Sequence, residues 1–439
     1  MTCLTFLSSQ VQKNHLLSGS VKSYEGNGVP EVHILGAGMV GISTALWLQR
    51  AGFSVTVIDR IGPAGGASYG NAGVLAAGSI IPITTPALPK NAIGMLLNKT
   101  SPLFIRWPYL PKMIPFLANY LSHCTENHVE HYARSMVPLL SDTLLQHREL
   151  ASGTDAESFI YGHPYAFGYH TIEAFNGDLK WWDLRARLGI RFDVIDGKDY
   201  GAIDPLFPDQ FEKVVLCHDH GRIADPGLYI KTLANHFVQQ GGKLEIKQVS
   251  RLVKTNDGMG YAIDGQVITP ECLVVSTGAW SRDLVSTAGL KVPFETERGY
   301  HIELVSPSKE PVNSMMVASG KFVITPLTGR IRAAGIVEFG GLELPENAEP
   351  IELLKSQVRA LLPDVTFERI DPWLGHRPAP ADSLPLIGQL PNMNNCWLGF
   401  GHQHVGLTGG AKTGRIISEL IQGRPADIDM TPFNPARFH

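Results

Sequence analysis

The apolar pattern begins abruptly at Val32, where VHIL forms a short β-branched run ahead of a glycine-rich turn, Gly36 to Gly41. Residues 42–51 place Ala45, Leu46 and Trp47 on one face and predict a helix. SVTVID, residues 54–59, predicts a second strand. Strand, turn, helix and strand make a βαβ unit, the building block of parallel sheets. From Ile81 to about Leu150 prolines at 82, 86, 89, 102, 108, 111 and 115 cut the chain into short pieces that lead into long helical stretches. That pattern fits part of a second domain or a lid. Residues 226–240 predict a helix, with Asp225 as its cap and Pro226 at its first position, followed by a strand ending at Ile246. Residues 266–280 predict a strand and a turn. Residues 300–305, 322–326 and 331–337 alternate as antiparallel strands do. A last strand, 396–400, runs through a glycine-rich loop into a helix predicted over 411–422.

A chain of 439 residues is expected to form two domains. With 44% hydrophobic and 18% charged residues it is a globular sequence, and a net charge of -4 offers no basic stripe for nucleic acid. The five cysteines are widely spaced and include no CxxC pair, which points to reduced thiols in a cytoplasmic protein and not to a zinc site. Residues 1–30 are polar apart from Cys3 to Leu7 and are expected to form a disordered extension. No apolar run reaches the length of a membrane span.

Five segments carry chemistry. In Gly36-Ala37-Gly38-Met39-Val40-Gly41 the first glycine allows a tight turn, the second lets a pyrophosphate approach the backbone, and the third lets helix and strand pack closely. The helix start faces the phosphate charge. Asp59 ends the next strand 18 residues after Gly41, where it would accept from ribose hydroxyls, with Arg60 beside it. This context predicts a dinucleotide without separating NAD from FAD. The second segment, Gly65 to Gly73, is rich in small residues that let backbone lie against a flat ring. Ser68 is placed to bond a phosphate oxygen, and Asn71, Ala72 and Gly73 follow. A merely flexible glycine loop is its alternative. The third, Ser276 to Ser281, puts Gly278 and Ala279 at the carboxyl edge of the sheet, or is a plain strand-end turn. The fourth runs from Gly399 to Gly410 ahead of a helix, whose N–H groups suit the negative charge at the N1–C2=O edge of reduced flavin. His402 and His404 without further ligands favour a flavin contact or packing over a metal. The fifth, Trp373 to Gly388, holds Arg377 among prolines, as a rigid turn suited to a carboxylate or as a structural ion pair.

Together and in this order, these motifs resemble the D-amino-acid oxidase/dehydrogenase superfamily of FAD-dependent oxidoreductases, from Val32 to Arg424. The proline-rich stretch from Pro86 to Cys124 is similar to the bacterial D-amino-acid dehydrogenase branch. The resemblance implies an α/β architecture: a Rossmann-like FAD-binding domain of the glutathione-reductase type and an α+β substrate domain with an antiparallel sheet. Residues 31–85, 210–295 and 376–425 are expected to form the first, and 86–209 and 296–375 the second. It implies that Asp59 holds the ribose, that Gly65 to Gly73 runs beside the flavin, and that Gly278 and Ala279 touch the nucleotide. Gly401, His402, Gly406, Leu407 and Thr408 would border the flavin's pyrimidine edge, and Arg377 would hold a substrate carboxylate. Tyr300 and His301 are candidate pocket residues, or packed strand positions. No His or Cys matches a covalent attachment point, so the FAD is expected to be non-covalent.

The implied activity is oxidative deamination of a D-amino acid, with electrons passed to a quinone or respiratory acceptor. Secondary amines (hydroxyproline, sarcosine, opines), glycine, or a role as flavin-carrying subunit of a larger complex are the alternatives. Residues 103–121 are apolar and carry Arg106 and Lys112. They suit either a lid or peripheral contact with the inner face of the cytoplasmic membrane. An oligomer is left open.

Overall fold

The computed structural model describes residues 29–90, 94 and 102–438. The expected extension, apart from Val29 and Pro30, lies outside the described residues. The first sheet has six strands in the order Lys243–Ile246, Ser54–Asp59, Glu31–Leu35, Cys272–Val275, Cys396–Phe400, Leu386–Gln389. All neighbours are parallel except the last pair. Side chains alternate between two buried faces. Val32, Ile34, Val55, Val57, Cys272 and Val274 enter one core. Leu35, Ile58, Leu273 and Val275 enter another, beneath the three-stranded sheet of Arg251–Thr255, Gly258–Ile263 and Gln266–Ile268. Burial on both sides explains why these strands read as nearly continuous apolar runs.

Helices Met39–Arg50 and Gly406–Ile421 lie against each other on the first face. Their approach depends on missing side chains. A Cβ on Gly414 would sit 2.3 Å from Ser43 Oγ, and one on Gly410 would sit 2.6 Å from Met39 Cγ. Ser43 Oγ also donates to Ala411 O at 2.9 Å. The helix after the last glycine loop thus begins at Gly406, five residues before the expected start at 411. Helix Pro226–Gln239 begins as expected, with Asp225 Oδ1 accepting from Leu228 N at 2.9 Å.

The second sheet is mixed but mainly antiparallel, in the order Arg369–Pro380, Phe294–Val305, Arg330–Phe339, Phe322–Leu327, Ser314–Val317, Tyr165–Tyr169, Lys213–Cys217, Phe192–Asp196. Leu103–Ile105 adds a short strand beside Arg330–Phe339. Helix Ala348–Leu361 covers one face, and the other faces the cavity described below. The expected domain boundaries differ from this pairing in two places. Lys213–Cys217, inside the range expected for the cofactor domain, is a strand of the second sheet. Helices Glu126–Leu140 and Thr143–Ala151, inside the range expected for the substrate domain, pack into the first sheet's core through Val129, Met136, Leu140 and Leu150. No helix among the described residues is long and apolar enough to cross a membrane.

Arg377 was expected in a rigid turn and lies instead inside the twelve-residue strand Arg369–Pro380. Pro372, Pro378 and Pro380 are compatible with a strand there because it is the edge of its sheet, where a missing N–H breaks no ladder on the open side.

Candidate active site

A cavity of about 1330 Å³ runs from Asp59 and Arg60, past the glycine turn, to the face of the second sheet at Arg377. Ordinary small-molecule sites occupy about 300–1,000 Å³, so this one has room for a dinucleotide and a substrate together.

The glycine turn shapes one end. Gly36 has φ +106°, and a Cβ there would meet Ser276 O at 2.4 Å, so the first turn and the third segment are held against each other. A Cβ on Gly41 would fall 1.9 Å from Gly36 O, which makes Gly41 a packing residue behind the cavity wall. Helix Met39–Arg50 starts at Gly38 with no side-chain cap. Ser68 Oγ accepts from Met39 N at 3.1 Å, beside the remaining N–H groups of that end. Asp59 is tied into the same structure. Its Oδ2 accepts from Ala37 N and its Oδ1 from Ile61 N and Gly62 N, each at 2.8 Å. The Arg60 guanidinium lies 3.7 Å from the ring centre of Trp280. Gly278, at φ +59°, faces open space, and Ala279 lines the same stretch.

The loop carrying Asn71 and Ala72 is pinned from behind. Arg332, fully buried, donates to Tyr69 O at 2.9 Å and to Asn71 O, and its Nε bonds Glu303 Oε1 at 2.9 Å. Gly73 is not at the cavity. It turns at φ +81°, and its N–H donates to Asn71 Oδ1 at 2.9 Å.

At the far end Gly401, His402, Gly406, Leu407 and Thr408 line the cavity beside the start of helix Gly406–Ile421. Thr413 Oγ1 donates to Gly409 O, so it accepts the 2.9 Å bond from His402, which therefore carries its proton on Nε2. Burial pushes His402 down to about 4. Buried His147 bonds Leu407 O at 2.9 Å, and Thr143 Oγ1 donates to Thr408 O at 2.7 Å. Gln403 adopts φ +47°, a conformation that favours glycine, and its Nε2 donates to Ser383 Oγ at 3.2 Å. His404 lines the cavity with its Nδ1 unpartnered. Burial, with the Arg377 charge, pushes it down to about 4.

Arg377 lines the cavity from within the protein, and burial lowers its pKa while Glu297 opposes the shift. Its guanidinium lies over Gly299, where a Cβ would fall 2.5 Å from Arg377 Cζ. Among the described residues no side chain is hydrogen-bonded or ion-paired to it, although the charge of Glu297 acts on it from the adjacent strand.

Tyr300 lines the cavity as well, but its hydroxyl is turned away from Arg377, and His301 lies outside the lining. Tyr300 Oη donates to Glu338 Oε2 at 2.9 Å on the side of helix Ala348–Leu361, and burial and the acid push the phenol up to about 12. His301 donates from Nδ1 to Gly70 O at 3.1 Å, and its ring stacks on Trp373 at 4.9 Å. Burial and the neighbouring Arg332 hold it neutral. Strand alternation turns the Tyr300 ring into the core and sets His301 under the loop at Gly70; the register shift beside them puts its extra residue on the neighbouring strand, Arg330–Phe339. Reasoning from sequence missed Glu297, Tyr120 and Arg332. Glu297 and Gly299 share a strand face, the one signal that pointed to the acid.

Residues 31–420 match the family of FAD dependent oxidoreductases designated DAO. The chain belongs to this family. It is 36% identical over 415 residues to a D-amino-acid oxidase of Bradyrhizobium diazoefficiens, covering 93% of this chain and 98% of the relative. It is 29% identical over 418 residues to a D-amino acid dehydrogenase of Allorhizobium ampelinum, again covering 93% and 98%. The crystal structure of glycine oxidase from Geobacillus kaustophilus has the same fold, with a TM-score of 0.71, 19% identity and coverage of 93% of this chain and 99% of that one. As a DAO-family member the protein is an FAD-dependent oxidoreductase. The helix start at Gly38, where among the described residues only Ser68 meets a backbone N–H with its side chain, the open space at Gly278 and the cavity's length fit that cofactor.

Proposed function

We propose that the chain oxidises D-amino acids to 2-oxo acids and ammonia and passes the electrons to a quinone. The observation that carries the first part is Arg377, a guanidinium that lines the cavity and has no hydrogen-bonded or ion-paired side chain among the described residues. A substrate carboxylate supplies the missing bidentate partner. The names of the two sequence relatives favour a D-amino acid as its bearer.

Bound non-covalently, FAD would supply a two-electron acceptor for the Cα hydrogen and its electron pair. The protein's part is placement and electrostatics. Arg377 fixes the carboxylate. The turn at Gly36 and Gly38, Ser68 and the helix start would hold the pyrophosphate, and Asp59 with Arg60 and Trp280 the adenosine end. The N–H groups of Leu407 and Thr408, at the start of helix Gly406–Ile421, would face the pyrimidine edge, where negative charge develops. Water outside the cavity completes hydrolysis of the imino acid.

The quinone reading has its own support. Trp107, Ile114 and Leu121 are exposed at 62%, 57% and 39%. Leu121 also lines the cavity, with Leu117 and Ile105, so apolar surface continues inward. A lipophilic acceptor, and peripheral contact with a membrane, fit such a surface.

The test is anaerobic bleaching of the flavin's visible absorption by D-amino acids, L-amino acids, glycine, sarcosine and hydroxyproline isomers. Rapid bleaching by D-amino acids alone is the expected result. Bleaching by glycine or N-substituted substrates alone moves the function to the glycine or secondary-amine reading. Reoxidation by a short-chain quinone faster than by air names the acceptor.

A further inference from the structure

We propose that Glu297 accepts the ammonium proton of the bound substrate and so delivers the amine in neutral form. The proposal rests on the reading that an amino acid binds with its carboxylate on Arg377.

Glu297 is directly opposite Arg377 in the antiparallel ladder of Phe294–Val305 and Arg369–Pro380. Opposite residues share one face of a sheet, with Cβ atoms about 4.5–5.5 Å apart. An amino acid carries its carboxylate and ammonium on one carbon, so both reach the same stretch of wall. A cation and an anion set side by side there match a zwitterionic head group in charge. The guanidinium leans over Gly299, so the two side chains form no hydrogen bond or ion pair with each other, although each charge acts on the other.

Glu297 is 1% exposed, lines the cavity, and leaves Oε2 without a hydrogen-bond partner. Leaving a buried carboxylate oxygen unmatched is costly, and the cost is removed if the matching donor arrives with the ligand. The hydroxyls of Tyr120 and Tyr132 nearby are also buried and unpartnered.

The charges couple the two halves of the head group. Burial raises the proton affinity of Glu297, and Arg377 lowers it. A carboxylate docking on Arg377 cancels the lowering influence, so Glu297 becomes more basic as the ammonium reaches it. One ammonium N–H bond breaks, its electron pair stays on nitrogen, and an O–H bond forms on Glu297. Total charge is unchanged. The freed lone pair is then available to build the C=N bond as Cα is oxidised.

The titratable groups facing Glu297 are Arg377 on the adjacent strand, Tyr120 on helix Leu110–Ser122 and Tyr132 on helix Glu126–Leu140. Cys124 beside Tyr120, Asp382 beside Tyr132 and His404 beside Arg377 lie one step further. The strand on the other side pairs apolar Phe339 with it. Both tyrosines are held well above the ordinary phenol range by burial and by Glu297, so neither competes as a base.

The test uses the holoenzyme. Anaerobic flavin reduction by D-alanine is followed from acid to alkaline pH in the wild type, Glu297→Gln and Glu297→Asp. Wild-type efficiency should stay level through neutrality and fall only on the acid side. Glu297→Gln should rise about tenfold per pH unit until the ammonium's own pKa is reached, with a loss at neutrality on the order of 10²-fold. Glu297→Asp should recover part of it. A second readout is equilibrium binding, followed by perturbation of the flavin spectrum. 2-Aminoisobutyrate is a zwitterion with no Cα hydrogen, and isobutyrate lacks the nitrogen. Wild type should prefer the former, and Glu297→Gln should lose that preference while binding isobutyrate as before.

A folded, fully flavinated Glu297→Gln with the wild-type pH profile and the wild-type preference overturns the proposal. The functional reading survives that result if D-alanine still reduces the wild type. A wild-type flavin that D-alanine leaves oxidised overturns both.

Discussion

The Arg377 guanidinium occupies the space that a side chain on Gly299 would need, with its Cζ 2.5 Å from where a Cβ would sit. One strand therefore makes the seat for the other's guanidinium.

Gly299→Ala should leave the fold intact and push the guanidinium aside. A displacement near 1 Å at a positioning group costs on the order of 10²-fold, and kcat/KM for a D-amino acid should fall by about that factor. Arg377→Ala should fall further, by several kcal/mol of transition-state binding, on the order of a buried charge pair broken. Steady-state kinetics of both variants check this, and unchanged turnover in Arg377→Ala removes that residue as the carboxylate anchor.

Asp59→Asn replaces one acceptor oxygen by an N–H donor. The aspartate accepts three backbone N–H bonds, at Ala37, Ile61 and Gly62, so either orientation of the amide sets donor against donor. Hydrogen bonds to charged groups contribute about 1.5–3 kcal/mol each. The variant should purify with less flavin, read as a lower ratio of visible to ultraviolet absorbance. A full complement of FAD would show that this carboxylate does not organise the nucleotide end.

Arg332→Met should loosen the loop at Asn71 and Ala72. The arginine ties Tyr69 O and Asn71 O to Glu303, and Glu303 keeps a second partner in Arg330. Breaking a fully buried pair costs roughly 3–5 kcal/mol, softened here by Arg330. The urea midpoint should drop and FAD should dissociate faster. A stable variant with unaltered FAD affinity would separate the loop from its clamp.

Acid should destabilise the fold before most carboxylates titrate. His147, His220, His402 and His404 are each held near about 4 in the folded protein, with burial the leading cause. Unfolded histidine titrates at about 6.5. The unfolded chain therefore binds more protons between these values, so stability is complete above pH 6.5 and is lost as pH falls towards 4. Each histidine contributes at most about 1.4 kcal/mol per pH unit in that window. Urea midpoints measured across it should decline steadily, and a flat profile would mean that these rings are not held neutral.

The βαβ unit, the glycines of the first turn, the acid at Asp59 and the cap at Asp225 were legible in the sequence because each follows from local rules. Those rules are alternation along a strand, a positive φ that glycine accommodates, and a side chain bonding an N–H three residues on. Arg377 was legible as a candidate, but its surroundings were not. Whether it sat in a turn or a strand depended on being at a sheet edge, where prolines are tolerated. Tyr300 and His301 were legible as strand residues, yet which face of that strand meets the cavity and which the core depended on how the whole sheet packs. The pairing of Arg377 with Glu297 joins positions eighty residues apart in the chain. Only the ladder register brings them together, because pairing distance between strands is set by hydrogen bonds across the sheet and leaves no periodic trace along either segment.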